Sequence, residues 1–123
     1  MSTILVVDDE YLIASILGML LEDEGFDVVK VGNGELALEA LERTRFELVI
    51  TDYMMPRLNG KELAMKIREN VQLQRLPVIL ISGAQAHEGW DCPELFAAVF
   101  DKPFDIPTLI AKVNELLRPP ESS

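Results

Sequence analysis

Four apolar runs of this chain are each followed by side chains that could take part in chemistry. Asp8 and Asp9 follow the first of these runs, and Asp52, Ser82 and Lys102 follow three later ones. Adjacent carboxylates can hold a divalent cation, and a single carboxylate can act as a nucleophile. A hydroxyl can donate a hydrogen bond to an anion, and an ammonium can offset negative charge that develops during a reaction. If the fold brings these side chains together, they predict a site for a cation and an anionic group.

The chain alternates between short apolar runs and longer segments with helical spacing of apolar residues. The apolar runs predict strands at Thr3–Val7, Asp27–Val31, Leu48–Thr51, Val78–Ile81 and Ala97–Phe100. Helical patterns begin at Tyr11, Leu36, Leu63 and Leu109. Gly25 lies where the first helix should end, and the segment Gln85–Leu95 supports at most a short helix.

Strands that alternate with helices favour a single α/β domain. Parallel strands need crossover connections, and right-handed crossovers place helices on both faces of the sheet. The predicted architecture is a flavodoxin-like, doubly wound sheet of five parallel strands in the order 2-1-3-4-5, an order that follows from the fold class. Ligands of such sheets bind at the carboxyl ends of the strands, where this chain carries its acidic, hydroxyl and ammonium groups.

The composition fits one packed domain and excludes several other classes of protein. With 123 residues, 49% hydrophobic and 26% charged, the chain is long enough for one core and is typical of globular proteins. A formal net charge of -10 opposes direct binding to nucleic acid or anionic lipid. The sequence lacks a signal-peptide pattern and an apolar run long enough for membrane insertion, and its single cysteine fits a reducing compartment. We therefore expect a cytoplasmic protein.

Several carboxylates at one end of a sheet need a counter-ion. Two unit charges about 4 Å apart repel by roughly 4 kcal/mol at an effective dielectric constant near 20. The predicted ligands are all oxygens, which favours a hard cation, and Mg²⁺ commonly combines one or two carboxylates with water and phosphate. The sequence therefore predicts a weak Mg²⁺ site.

Each of these residues also has an ordinary structural explanation. Asp8 and Asp9 could cap the first helix. Asp52 and Ser82 could form turns, and Lys102 could extend its ammonium into water. Because all of them lie at carboxyl ends of strands, a shared site is the better interpretation.

Several short motifs occur in a fixed order along nearly the whole chain. They are Ile4–Glu10 (ILVVDDE), Val49–Pro56 (VITDYMMP), Asn59-Gly60, Ile81–Ala84 (ISGA) and Lys102–Phe104 (KPF). This ordered set resembles the receiver domains of two-component response regulators. The resemblance implies one receiver domain over residues 1–118 and a short tail or truncated linker at residues 119–123.

The resemblance implies a phosphorelay function centred on Asp52. Asp52 would accept a phosphoryl group from a phosphohistidine donor in a Mg²⁺-dependent reaction, Lys102 would contact that group, and Ser82 would be the switch hydroxyl. Asp9 would bind Mg²⁺ directly, and Asp8 would act largely through water. The implied metal ligands are therefore Asp8, Asp9, Asp52 and the backbone carbonyl of Met54.

The partners that the resemblance implies are proteins. A sensor histidine kinase or a histidine phosphotransfer protein would supply the phosphoryl group and would meet the first helix. The domain would signal to an unknown downstream protein through a surface formed by the short fourth helix, the fifth strand and the last helix. It would be a signalling module that promotes only its own phosphorylation and dephosphorylation, and not an enzyme. The Lys102–Pro103 bond would be cis, as it commonly is in relatives.

Two features depart from the family pattern. Relatives usually carry Tyr or Phe three positions before the conserved lysine, where this chain has Val99. Phe100 is adjacent but should face the opposite side of the strand, so it should not replace the missing ring. The segment Gln85–Cys92 also differs, and we expect an irregular fourth helix and a private partner surface there.

Two alternative functions fit parts of the same pattern. A phosphatase of the haloacid dehalogenase type also uses an aspartate nucleophile at a strand end, but it needs a second acid where this chain has Met54. An adaptor that works without phosphorylation fits the loss of the aromatic residue at Val99. Such an adaptor, however, would have no need for the acidic cluster and Lys102.

Overall fold

The computed structural model describes residues 2–83 and 94–117, which form five β-strands and four α-helices. The strands are β1 Thr3–Val7, β2 Asp27–Val31, β3 Leu48–Asp52, β4 Val78–Ser82 and β5 Ala98–Asp101. The helices are α1 Tyr11–Asp23, α2 Gly34–Arg43, α3 Gly60–Glu69 and α4 Ile106–Leu117, with a short 3-10 turn at Val71–Leu73.

The strands form one parallel sheet in the order β2-β1-β3-β4-β5, which confirms the predicted architecture. β3 and β4 each extend one residue beyond the predicted apolar run, so that Asp52 and Ser82 end the strands. β5 is shifted by one residue from its predicted range and runs from Ala98 to Asp101. The reason is that a polar residue continues a strand when its backbone pairs with a neighbour, as Asp52 does with Ile81.

Alternate side chains of the strands enter two cores on opposite faces of the sheet. In β1, Ile4 and Val6 pack with α1 and α4, while Leu5 and Val7 pack with α2 and α3. β3 and β4 are buried along their whole length, which explains their continuous apolar runs. Each buried Val, Leu or Ile side chain contributes about 1.5–3 kcal/mol to the stability of the fold. The strands are therefore held firmly in place, and so are the residues at their carboxyl ends.

Local signals set where the helices begin and end. The Oδ1 atoms of Asn33 and Asn59 accept hydrogen bonds from the backbone N–H groups of Leu36 and Glu62, both at 2.8 Å, and so cap α2 and α3. Gly25 has a φ of 99°, which allows the chain to turn away after α1, as predicted.

Some predictions concern residues that are outside the described ranges. The short helix predicted within 85–95 falls almost entirely there, and only Glu94 and Leu95 are described, in a turn. The private partner surface predicted at 85–92 falls there entirely. The tail at 119–123 also lies outside the described ranges. Of the helices within these ranges, none combines the length and the apolar character that crossing a membrane requires.

Candidate functional site

Four strands deliver polar side chains to one edge of the sheet. Asp8 directly follows β1, Asp52 and Ser82 end β3 and β4, and Lys102 directly follows β5. The backbone N–H of Lys102 donates to the carbonyl oxygen of Ser82 at 2.7 Å, which holds the ends of β4 and β5 in register. The spacing of these residues in the sequence therefore does correspond to one location in the fold.

Asp8, Glu10 and Asp52 form a group of three carboxylates, here called the acidic triad. One carboxylate oxygen from each residue lies within 4.8 Å of the other two. Asp8 and Asp52 are buried, whereas Glu10 is exposed. The backbone N–H of Glu10 donates to Oδ1 of Asp8 at 2.8 Å and orients that carboxylate. Because the three donors are oxygens close enough to share one ion, the acidic triad fits Mg²⁺.

Lys102 bridges two members of the acidic triad. Its Nζ lies 3.1 Å from Oδ1 of Asp52 and 3.1 Å from Oε1 of Glu10. The side chain of Asp52 is 3% exposed, so the ammonium offsets part of the cost of burying this charge. Lys102 is joined to Pro103 by a cis peptide bond, as the family resemblance implied.

Burial changes the acid–base properties of the site. Loss of solvent raises the pKa of Asp8 to about 6, although the backbone hydrogen bond from Glu10 opposes the rise. Burial also raises the pKa of Asp52, and the bond to Lys102 offsets only part of that effect. Burial alone lowers the pKa of Lys102, but the bonds to Asp52 and Glu10 outweigh it and the net change is upward. A divalent cation therefore competes with protons for the two buried carboxylates.

Ser82 places a hydroxyl without a partner at the same sheet edge. Its side chain is fully buried, and among the described residues nothing forms a hydrogen bond with its Oγ. An unpaired buried hydroxyl costs about 1–3 kcal/mol. A Cβ on the neighbouring Gly83 would meet no atom of the described residues within 4 Å. An anionic group delivered to this edge could accept the missing hydrogen bond.

The start of α3 packs directly against the backbone of Asp52. A Cβ on Gly60 would lie 2.6 Å from the carbonyl oxygen of Asp52 and 2.8 Å from Cδ1 of Leu80. The N–H of Gly60 donates to the carbonyl oxygen of Tyr53 at 2.9 Å. Glycine is needed for this close approach, so the Asn59-Gly60 motif helps to position Asp52.

Known proteins share both the sequence pattern and the fold of this chain. The chain matches a family model described as the response regulator receiver domain over residues 4–114. It belongs to the receiver domain family. It is 35% identical over 118 residues to the phosphate regulon transcriptional regulatory protein PhoB of Rhizobium meliloti, and 36% identical over 124 residues to a transcriptional regulatory protein CpxR homolog of Haemophilus influenzae. These alignments cover 94% and 96% of the chain but 52% and 51% of the relatives, so the receiver domain spans about half their length.

A solved structure of a related protein shows the same architecture with ions bound. The receiver domain matches the response regulator protein TrrA of Thermotoga maritima with a TM-score of 0.84 and 34% identity, over 94% of this chain and 99% of that one. That structure is a complex with Mg²⁺ and BeF. The chain is therefore a receiver domain of the kind found in response regulators of two-component systems, and its acidic triad offers the oxygen ligands that Mg²⁺ takes.

The acidic triad of this receiver domain differs from the predicted ligand set in one member. Glu10 joins Asp8 and Asp52, whereas Asp9 is exposed and lies outside the triad formed by the described residues. The charge of Asp9 nevertheless helps to raise the pKa of Asp52. Glu10 is the third consecutive acid after β1, and this run of acids could have indicated that Glu10 belongs to the site. The sequence does not show, however, in which direction its carboxylate points. Direct Mg²⁺ binding by Asp9 and by the carbonyl of Met54 stays a prediction.

The structure shows how β5 packs at Val99, where relatives usually carry an aromatic ring. Val99 is partly buried and packs on the face covered by α2 and α3, while Phe100 packs on the face covered by α1 and α4. Phe100 therefore faces away from Val99, as predicted from the alternation of the strand. Any signal that starts at Ser82 in this receiver domain does not pass through a ring at position 99.

Proposed function

We propose that this receiver domain accepts a phosphoryl group on Asp52 and signals through the surface that changes as a result. The observation that carries the proposal is a buried Asp52 carboxylate held 3.1 Å from the ammonium of Lys102, within an acidic triad that fits Mg²⁺. The Ser82 hydroxyl at the same edge, which no described residue satisfies, adds a donor for the oxygens of the new group. This combination suits a phosphoacceptor better than an adaptor without chemistry.

In the proposed transfer, an oxygen of Asp52 bonds to the phosphorus of a phosphohistidine while the phosphorus–nitrogen bond breaks. The bonding electron pair leaves with the imidazole, and Asp52 becomes an acyl phosphate. Lys102 already lies beside Asp52, so its ammonium offsets the charge of the phosphoryl oxygens. Ser82 then donates to one of these oxygens, which biases the domain toward one of two states.

Mg²⁺ is the cofactor that this proposal requires. The residues that would hold it are Asp8, Asp9, Asp52 and the carbonyl of Met54. Glu10 shares the acidic triad with Asp8 and Asp52. When bound, the ion supplies positive charge that offsets the carboxylates and the transferring phosphoryl group. The chain itself contributes the burial of Asp8 and Asp52, which keeps both carboxylates at the sheet edge in fixed positions.

Acetyl phosphate with MgCl₂ tests the phosphorylation site. Intact-mass measurement should show one added phosphoryl group on the wild-type domain and on Asp27→Ala, a control at the opposite, amino edge of the sheet. Asp52→Ala should take up none, because the nucleophilic oxygen is absent. Labelling of Asp52→Ala to the wild-type extent would contradict the assignment.

The outer face of α1 is the proposed docking surface for the protein that carries the phosphohistidine. Its exposed apolar side chains are Tyr11, Leu12, Ile16 and Met19. Beside them is a groove of about 460 Å³, whose lining includes Ile13, Leu17, Phe104 and Ile106. Because Lys102 also lines this groove and contacts Asp52, a partner seated there would bring its histidine close to the acceptor.

The proposed setting is the cytoplasm, and the proposed partners are proteins. A net charge of -10 opposes direct contact between this domain and DNA. The domain promotes only its own phosphorylation and dephosphorylation, and the downstream protein distinguishes the phosphorylated surface from the unmodified one. A downstream partner should therefore be captured more strongly by the phosphorylated form. Equal capture by both forms would favour a phosphorylation-independent adaptor.

A further inference from the structure

Glu10 occupies the N-cap position of α1 but does not cap this helix with its side chain. Its backbone is extended, and its carbonyl oxygen accepts a hydrogen bond from the N–H of Ala14 at 3.1 Å. Within residues 2–83 and 94–117, its carboxylate makes no capping hydrogen bond. Ser, Thr, Asp and Asn are the side chains that cap well, because their oxygens reach back to the first N–H groups. Side-chain capping of α1 therefore does not explain a glutamate at this position.

The Glu10 carboxylate turns toward the site instead. Its Oε1 lies 3.1 Å from Nζ of Lys102, and the same Nζ lies 3.1 Å from Oδ1 of Asp52. The side chain of Glu10 is 57% exposed, against 24% for Lys102. An ion pair with so exposed a partner contributes about 0–1 kcal/mol to stability. Its main effect is therefore on where the ammonium lies.

Glu10 faces two groups that compete for its carboxylate. It holds one N–H of the Lys102 ammonium, and it also lies within 4.8 Å of the other two carboxylates of the acidic triad. The carboxylate of Glu10 would be attracted to a divalent cation in the acidic triad and would then hold Lys102 less strongly. While no cation is bound, the negative charge of Glu10 at the mouth of the site repels an anionic phosphodonor.

We propose that Glu10 is a positioning residue that increases the dependence of phosphoryl acceptance by Asp52 on the divalent cation, through its contact with the Lys102 ammonium. Glu10 restrains the ammonium of Lys102 and repels the donor, and both effects would weaken with a cation in the acidic triad. This inference rests on the function proposed for Asp52 and extends it to the dependence of that reaction on the cation.

The first test measures the cation alone. MgCl₂ is titrated into the domain by isothermal calorimetry without a phosphodonor, for the wild type, Glu10→Gln and Glu22→Gln. The control removes the same charge from α1, about 18 Å farther along the helix axis. Glu10→Gln should raise the Mg²⁺ dissociation constant about tenfold, as the loss of a residue that supports the direct ligands of a metal site does. Glu22→Gln should match the wild type.

The second test separates donor binding from the rate of reaction. The KM and the maximal rate for acetyl phosphate are measured at low and at saturating MgCl₂, with intact mass as the readout. In the wild type and Glu22→Gln, the KM should fall as MgCl₂ rises, because the cation removes the repulsion by Glu10. In Glu10→Gln this fall should be smaller by about threefold to tenfold, because the carboxylate that repels the donor is absent.

The outcomes distinguish this inference from the proposed function. If Glu10→Gln equals Glu22→Gln both in its Mg²⁺ dissociation constant and in the MgCl₂ dependence of its KM, the role assigned to Glu10 is wrong. If the wild type takes up no phosphoryl group at any MgCl₂ concentration, the function proposed for Asp52 is wrong. Equal thermal midpoints of the two metal-free variants show that the differences do not come from unfolding.

Discussion

Helices α1 and α3 cover opposite faces of the same sheet but are built differently. α3 begins with a capping box formed by Asn59 and Glu62, and it ends with the basic residues Lys66 and Arg68. Over the part of the chain that the structure describes, α1 has no side-chain cap, no acid in its first turn and no base in its last turn. α1 instead exposes a row of large apolar side chains, namely Tyr11, Leu12, Ile16 and Met19.

This difference shows where the domain gives up local stability for its site. A good N-cap stabilises a helix by about 1 kcal/mol, and charges that complement the helix dipole add about 0.3–1 kcal/mol each. In α3 the residues at both ends supply these terms. In α1 the N-cap residue Glu10 contacts Lys102 instead, and the outer face is left apolar. The positions that stabilise α3 are thus free in α1 for the roles proposed for Glu10 and for the apolar face.

The largest expected effect concerns a glycine in each helix. Gly60→Ala should lower the free energy of unfolding by about 3 kcal/mol, because the new Cβ would lie 2.6 Å from the backbone oxygen of Asp52. Gly18→Ala in α1 should be neutral or stabilising by up to about 1 kcal/mol, since its Cβ meets the flexible end of Lys30 at 3.1 Å and alanine favours helix. Urea unfolding of both variants measures this. Equal losses would mean that both helices are packed equally tightly.

The next effect tests whether the apolar face of α1 serves a partner. Ile16→Glu should lower kcat/KM for transfer from a histidine phosphotransfer protein by about 30-fold, the loss expected of an interface hot spot. Its labelling by acetyl phosphate should stay at the wild-type level. Leu36→Glu on α2 is the matched control, because Leu36 is 44% exposed and Ile16 is 41% exposed. A similar loss of kcat/KM in both variants would mean that the outer face of α1 is no more important for the partner than that of α2.

The buried carboxylates that follow β1 and end β3 should make Mg²⁺ binding depend on pH. Burial raises the pKa of Asp8 to about 6 and also raises that of Asp52, so Mg²⁺ has to displace protons below this pH. The dissociation constant for Mg²⁺ should therefore rise about tenfold for each pH unit that the pH falls below 6, and it should be nearly constant above about pH 7. Calorimetry at several pH values checks this. A constant affinity between about pH 5 and pH 7 would contradict it.

The same rise in the pKa of Asp8 should make the metal-free protein more stable at low pH, whereas Mg²⁺ binding is stronger at high pH. Because the pKa of Asp8 rises from 3.8 to about 6 on folding, the folded state binds the proton more tightly. This contribution to stability is complete below about pH 4 and is lost as the pH rises through 6. Added MgCl₂ should consequently stabilise the domain more at about pH 7 than at about pH 5.

Much of the fold could be predicted because burial leaves a pattern in the sequence. Strands covered on both faces read as continuous apolar runs, and their order followed from the fold class. Asp52 and Ser82 could be predicted at the ends of the third and fourth strands, although the apolar runs stop one residue earlier, because a polar residue that pairs through its backbone leaves no apolar signal. The convergence of Asp8, Asp52 and Lys102 could be predicted from the order of the strands.

The remaining part of the site depends on contacts that no local pattern records. Glu10 and Lys102 are 92 positions apart in the chain, and their contact requires a particular conformation of two long side chains. The family resemblance implies Asp9 as a direct metal ligand, which stays a prediction, and the structure adds Glu10 to Asp8 and Asp52 in the acidic triad. The short polar side chains of the caps at Asn33 and Asn59, in contrast, act within three residues of their own position.

The smallest expected effect compares the two helix starts directly. Asn59→Ala should lower the free energy of unfolding by about 1 kcal/mol, because the N–H of Glu62 loses its acceptor at 2.8 Å. Glu10→Ala without metal should lower it by less than about 0.5 kcal/mol, since its pair with Lys102 is exposed. Urea unfolding with and without MgCl₂ measures both variants.

The response to MgCl₂ then shows what each residue does. Asn59→Ala should gain as much stability from the ion as the wild type does, because its cap lies outside the acidic triad. Glu10→Ala should gain less, because one carboxylate of the triad is missing. If Glu10→Ala instead lost as much stability as Asn59→Ala without metal, and gained as much with it, Glu10 would be supporting α1. The distinction between a helix that serves the fold and a helix that serves the site would then be wrong.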